Sequence, residues 1–162
     1  MRIGVVSDTH NNLKNCRTIV SLLNDSGLDL VIHTGDITQP KTLDVFGGLQ
    51  VPLHGVFGNN DVGERTALEA AIAHHGFEFL DPPLRLTLHG RSVMVVHDPL
   101  EFEGALDSSI ELALHGHTHR HCDQWHGQQL HFNPGECAGH MKGLNAIGVV
   151  DLTDLSTELL RF

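Results

Sequence analysis

Apolar residues come along this chain in short bursts, and most bursts end on a polar or charged side chain. Residues 2–7, with Ile3, Val5 and Val6, read as a first strand that stops at Asp8-Thr9-His10. Asn11-Asn12 then offers a helix N-cap. Leu13, Cys16, Ile19, Val20 and Leu23 recur at helical spacing on one face, and Gly27 is a good C-terminal stop. Residues 28–34 predict a second buried strand ending at Gly35-Asp36. Strand, helix, strand in this order implies a parallel pair with a right-handed crossover.

The unit repeats twice. Thr38-Gln39-Pro40 can start a short helix, with Pro40 in its first turn, that ends near Gly47-Gly48. Residues 51–57 predict a third strand, ending in Gly58-Asn59. Residues 63–75 predict a helix with Ala67, Leu68, Ala71 and Ile72 on its buried side, stopped by Gly76. The pattern then changes to hairpins. Residues 84–88 and 92–96 flank a turn at His89-Gly90-Arg91, 120–125 and 128–132 flank His126-Gly127, and 146–152 and 156–161 flank Thr153-Asp154. Between them lie an expected short helix at 101–109 and a strand at 110–114 that leads into Gly116-His117-Thr118-His119. A β-α-β first half and a hairpin-rich second half predict an α/β chain of two packed sheets with helices outside, in one domain over residues 1–162.

Composition narrows the classes. The chain has 162 residues and 40% hydrophobic content, enough for a sizeable core. No apolar run approaches a bilayer span, and the N-terminus reads as a strand rather than a signal peptide, so no membrane association and a cytoplasmic location are expected. Cys16, Cys122 and Cys137 make an odd count without a Cys-x-x-Cys, which argues for free thiols. A formal net charge of −10 argues against long nucleic acid, though cations in a site would locally reverse the sign. The 14 histidines mean that most cannot be ligands, and a single His-x-His is discounted accordingly.

What remains is a coincidence of position. Asp8, Asp36, Asn59, His97 and His117 each follow a strand-like run, and sites in open α/β sheets lie at the carboxyl ends of strands. His10 and His119 alternate with Asp8 and His117. Seven nitrogen and oxygen donors suit two ions that share one carboxylate, and Asp36 has the two oxygens to bridge them. Two such ions can clamp an in-line displacement and acidify a water between them. Donors of this kind without sulfur fit Mn, Fe, Zn, Co or Ni better than Ca or Mg.

Asp8-x-His10, Gly35-Asp36, Gly58-Asn59-x-Asp61, His97 and Gly116-His117-Thr118-His119 occur in the order found in calcineurin-like metallophosphoesterases. The chain resembles that superfamily over nearly its whole length, in particular the small bacterial and archaeal phosphodiesterase branch, which Asn133-Pro134-Gly135 also matches. The resemblance implies a four-layer α-β-β-α sandwich of two mixed sheets. It implies a first metal held by Asp8, His10, Asp36 and His119, and a second by Asp36, Asn59, His97 and His117. The ions expected are divalent, with Mn favoured and Fe, Zn, Ni or Co as further candidates. A metal-bridging hydroxide as nucleophile, a small phosphodiester as substrate, and a monomer or homodimer complete the expectation. Asn59, Asn60, Asp61 and His97 are the candidate catalytic group, with Asp61 expected to buttress the Asn59 loop.

Three positions depart from the family pattern. Asn60 stands where larger relatives carry a histidine that protonates the leaving group; a carboxamide can only hydrogen-bond there. Asp98 stands where Gly is usual, either orienting His97 or lying in solvent. Glu136 stands where Ser usually follows Asn-Pro-Gly, either near the mouth or pointing away. His33, His54, His74, His75, His89, His115, His126, His131 and His140 are read as structural or surface residues. Two rival readings remain: a non-catalytic metal-binding interaction scaffold of the same fold, which the complete donor set opposes, and a nucleotide-cofactor domain. The latter needs a Gly-rich turn after the first strand, and Ser7-Asp8-Thr9-His10-Asn11 has none.

Overall fold

The computed structural model describes residues 1–162. Its first sheet has six strands, in the order β11-β10-β1-β2-β3-β4. These are β1 (Arg2–Val6), β2 (Leu30–His33), β3 (Leu53–Val56), β4 (Glu78–Leu80), β10 (Ala146–Asp151) and β11 (Ser156–Arg161). The second sheet runs β5-β6-β7-β9-β8, from β5 (Leu84–Leu88), β6 (Arg91–Val95), β7 (Leu112–Leu114), β8 (Cys122–His126) and β9 (Gln129–Asn133). Both sheets are mixed. β1 to β4 pair in parallel while β10 runs antiparallel to β1, and β7 pairs in parallel with both β6 and β9.

β1 and β2 are apolar almost throughout because both of their faces are covered. Ile3, Val5, Leu30, Ile32 and Val150 face the second sheet's Val93, Val95, Leu112, Leu114, Leu130 and Phe132. On the opposite face, Val6, Val31, Leu53, Ile147 and Val149 pack under α1 (Leu13–Asp25), α2 (Pro40–Phe46) and α3 (Arg65–His75), through Cys16, Ile19, Leu23, Leu43, Phe46 and Leu68. The outer face of the second sheet offers Met94, Val96 and Ala113, and segment 98–110 covers it with Phe102 and Ile110.

Two elements differ from the sequence expectation. The helix expected at 101–109 is one 3-10 turn, Pro99–Phe102. Asp98 and Glu101 cap it reciprocally, and Gly104 at φ +72° turns the chain away. The helix expected from residue 63 starts at Arg65. Ahead of it lies the 3-10 helix Asn59–Glu64, because Asn60 and Asp61 are drawn back onto the end of β2. No helix is long and apolar enough to cross a membrane.

Candidate metal centre

Strand geometry delivers the donors to one place. β1, β2, β3, β6 and β7 end within two or three residues of Asp8, Asp36, Asn59, His97 and His117 respectively. The chain must then turn sharply. Asp8, His10, Asp36, His117 and His119 all have positive φ, between +40° and +63°. That left-handed region is uncommon for residues with a Cβ, and where it clusters it marks backbone strained for function.

The glycines between them allow the close approach. A Cβ on Gly116 would meet Ser7 Oγ, Thr34 Oγ1 at 2.8 Å and Asp8 Oδ2 at 2.9 Å. A Cβ on Gly58 would meet Asp36 Oδ1, and one on Gly35 would stand 2.7 Å from His97 Nδ1.

Two groups of donors result. In the first, His10 Nε2 lies 3.3 Å from Asp36 Oδ2 and 3.8 Å from Asp8 Oδ1, and His119 Nε2 lies 3.4 Å from Asp8 Oδ1. In the second, Asn59 Oδ1 lies 3.0 Å from both His97 Nε2 and His117 Nδ1, and His97 Nε2 lies 3.4 Å from Asp36 Oδ1. Asp36 stands between the groups with one oxygen toward each. All seven residues of the expected ligand set are therefore brought together.

These donors fit divalent ions. Two atoms each about 2.1 Å from one ion stand roughly 3–3.4 Å apart in right-angled to tetrahedral geometry. Asp8 Oδ1 and His10 Nε2 are buried with no hydrogen-bond partner, an arrangement that costs free energy unless something else satisfies them.

The field of the site has the matching sign. Burial alone would raise the Asp36 carboxyl, but hydrogen bonds from His97 and Asn60 outweigh it and hold the group well below the usual carboxylate range. Burial pulls His97 down, yet Asp36 overrides it and pushes the imidazole up to about 9. Burial also works against the Asp8 carboxylate, and His10 and Ser7 keep it low. A potential that holds a proton on His97 is one that a divalent cation can neutralise instead.

Behind the donors, other groups set their orientation. His97 Nδ1 donates to Thr34 O at 2.8 Å, which leaves Nε2 facing the site. Asp61 is fully buried and accepts from the backbone N–H groups of Gly58 at 2.7 Å, Thr38 at 2.7 Å and Asp36 at 3.1 Å. It ties the Asn59 loop to the end of β2. Asn60 donates twice to Asp36.

Asp98 is the partly solvated turn residue of the two readings, with one further contact. Its Oδ2 lies 3.5 Å from His117 Nε2, not against His97, and its Oδ1 caps the following 3-10 turn. Glu136 is fully buried behind His119. His140, read from sequence as structural or surface, has an exposed side chain, but its ring stacks on His119 at 5.4 Å and stands 5.5 Å from that of His10. No spacing pattern in the sequence announces His140 at the site; Glu136, flagged by its place after Asn133-Pro134-Gly135, neither lines the mouth nor points away but is buried against His119.

A family model described as the calcineurin-like phosphoesterase superfamily domain matches residues 1–155. The chain belongs to that superfamily. This metal-dependent phosphoesterase is 31% identical, over 155 residues, to a phosphodiesterase of Methanocaldococcus jannaschii, with 93% of each chain covered. Its fold matches the solved structure of an archaeal phosphodiesterase with a TM-score of 0.90 and 28% identity, over 100% of both chains. It also matches the E. coli phosphoesterase Yfce, with a TM-score of 0.75 over 99% of this chain and 98% of that one. At 19% identity that match speaks for the fold alone.

Proposed function

We propose that this phosphoesterase is a phosphodiesterase acting on small phosphodiesters at a two-ion centre. Asp8, His10, Asp36 and His119 hold one ion; Asp36, Asn59, His97 and His117 hold the other. The observation that carries this reading is Asp36, whose two oxygens face the two donor groups at 3.3 and 3.4 Å. Bound divalent ions, Mn first and Fe, Zn, Ni or Co next, supply charge for the phosphoryl oxygens and acidify the attacking water.

The chain's own residues do the rest. Asn60 hydrogen-bonds the shared carboxylate, and Asp61 keeps Asn59 in reach of His97 and His117. A cavity of about 480 Å³ opens beside Asn59, His97 and His117. Its volume suits a small ester arm rather than a polymer. Arg65 lies over the Phe57 ring at 3.6 Å in its wall, already paired with Asp81 and Glu69, so no free cation waits there for a second phosphate. The net charge of −10 likewise disfavours long nucleic acid. Three free cysteines fit the reducing cytoplasm, and a monomer or homodimer suffices because every donor comes from one chain.

The test is hydrolysis of a chromogenic aryl phosphodiester. Turnover should require added Mn, stop with a chelator, and be abolished in His117→Ala. Metal-independent turnover would sink the reading. Stoichiometric ion binding without turnover across a broad ester panel would favour the non-catalytic scaffold instead.

A further inference from the structure

Glu136 stands outside the proposed ligand set, yet it is wholly buried and aimed at one of that set's members. Its Oε2 lies 3.2 Å from His119 Nδ1 and accepts the His140 backbone N–H at 3.2 Å, while Oε1 accepts the Met141 backbone N–H. The residue's own main chain is fixed as well. It forms an isolated bridge with Asn145, and its carbonyl accepts from Ala146 N–H at 3.0 Å. The carboxylate therefore has little freedom to move away from His119.

A neutral imidazole carries one N–H. A carboxylate in hydrogen-bond reach of Nδ1 can only accept, so it selects the tautomer with the proton on Nδ1 and the lone pair on Nε2. His119 Nε2 points to Asp8 Oδ1, 3.4 Å away. The other nitrogen of the ring is thus locked in the form that donates a lone pair toward the first donor group. The same two oxygens also hold the backbone of residues 140 and 141, which keeps the His140 ring against those of His119 and His10. The His140 ring comes to rest nearly parallel to that of His119, at 11°.

His119, Glu136 and His140 have donor atoms within 4.8 Å of one another, which on distance alone would suit a further ion. The hydrogen bonds argue otherwise. Both carboxylate oxygens are occupied by N–H donors, and His140 Nδ1 stays 3.9 Å from Oε2.

We propose that Glu136 is a positioning residue: it fixes His119 as the Nδ1–H tautomer with its Nε2 lone pair directed at the first ion, and it anchors the segment that lays His140 on that ring. The identity of the ion rests on the two-ion reading above. The tautomer does not, and it can be measured without turnover.

Long-range proton–nitrogen NMR of the chelator-treated wild-type protein, at mildly alkaline pH, should show His119 protonated at Nδ1. Zinc titration by calorimetry supplies the second readout. Glu136→Ala should bind the first zinc about 10–100-fold more weakly, the usual effect of losing an outer hydrogen-bond partner of a ligand. Glu136→Gln keeps one acceptor oxygen for Nδ1 but sets its NH2 against the Met141 N–H, so it should recover part of that loss. His140→Ala should leave the number of zinc ions bound unchanged at two. An Nε2–H tautomer of His119 in the wild-type protein would overturn the proposal whether or not the variants fold. So would wild-type affinity in Glu136→Ala, or loss of a third zinc in His140→Ala.

Discussion

The carboxamide of Asn60 is committed to Asp36. Its Nδ2 donates to Asp36 Oδ2 at 2.7 Å, and its backbone N–H donates to Oδ1 at 2.9 Å. A side chain held this way steadies the carboxylate between the two donor groups. It has no proton to give a departing alkoxide, since a carboxamide is not an acid at neutral pH.

Rates should therefore depend steeply on the leaving group. Aryl phosphodiesters, whose leaving groups need no proton, should be hydrolysed far faster than alkyl ones. Asn60→His should raise the alkyl rate by tenfold or more, within the usual worth of a general acid. Parallel kinetics on a series of esters graded by leaving-group pKa check this, and equal wild-type rates along the series would contradict it.

Gly116 admits no side chain. In Gly116→Ala the new methyl would press on Ser7 Oγ, Thr34 Oγ1 and Asp8 Oδ2, so these side chains or the His117 turn must shift. Activity should fall by two orders of magnitude or more. Stability should fall by about 1–3 kcal/mol, the usual cost of overpacking. Urea unfolding and Mn-dependent turnover measured on the same preparation separate the two effects.

Asp61 is bonded to the loop backbone around Asn59 and Asp36. Asp61→Ala would leave the N–H groups of Gly58, Thr38 and Asp36 without their buried acceptor. A loss of about 3–5 kcal/mol is expected, because buried donors left unpaired lose their full desolvation energy. Burial pushes the Asp61 carboxyl up, against the backbone N–H groups of Gly58 and Thr38, so the residue sits in a delicate balance. Equilibrium denaturation of the variant provides the number.

His33 gives a pH signature. It is fully buried, and Gly35 N–H donates to its Nδ1 at 3.1 Å, so its proton sits on Nε2, facing Thr9 Oγ1. Burial pulls its pKa down from 6.5 to about 4. The unfolded chain binds this proton more readily than the folded one. Stability from this group is thus complete above pH 6.5 and is lost as pH falls toward 4, by about 3 kcal/mol in all. His33→Gln should flatten that part of the stability profile, seen as a smaller drop in Tm between pH 7 and pH 4 than in the wild type.

The strand ends were legible in the sequence because two local signals coincide there. Apolar runs such as Ile3-Gly4-Val5-Val6 stop at Asp8, and Gly35, Gly58 and Gly116 stand where the backbone must pass close to a neighbour. Periodicity also revealed the buried face of α1, Cys16 and Ile19 included. The contributions of Glu136, His140 and Asp98 were not legible, because each depends on a meeting of distant loops. His140 reaches His10 across 130 positions, and nothing local to either residue encodes it. The 3-10 turns at 59–64 and 99–102 were missed for a related reason. Both are shaped by capping and by bonds to other segments, which override a helical pattern only a few residues long.

β1 lies between β2 and β10, so the strand that ends in Asp8 has one neighbour from early in the chain and one from residues 146–151. During synthesis, β1 and β2 can pair as soon as both have left the ribosome, but the other flank of β1 stays an open edge until almost the whole chain has emerged. The nascent protein consequently acquires its chemistry late, and a fragment ending before residue 146 is expected to be sticky and inert.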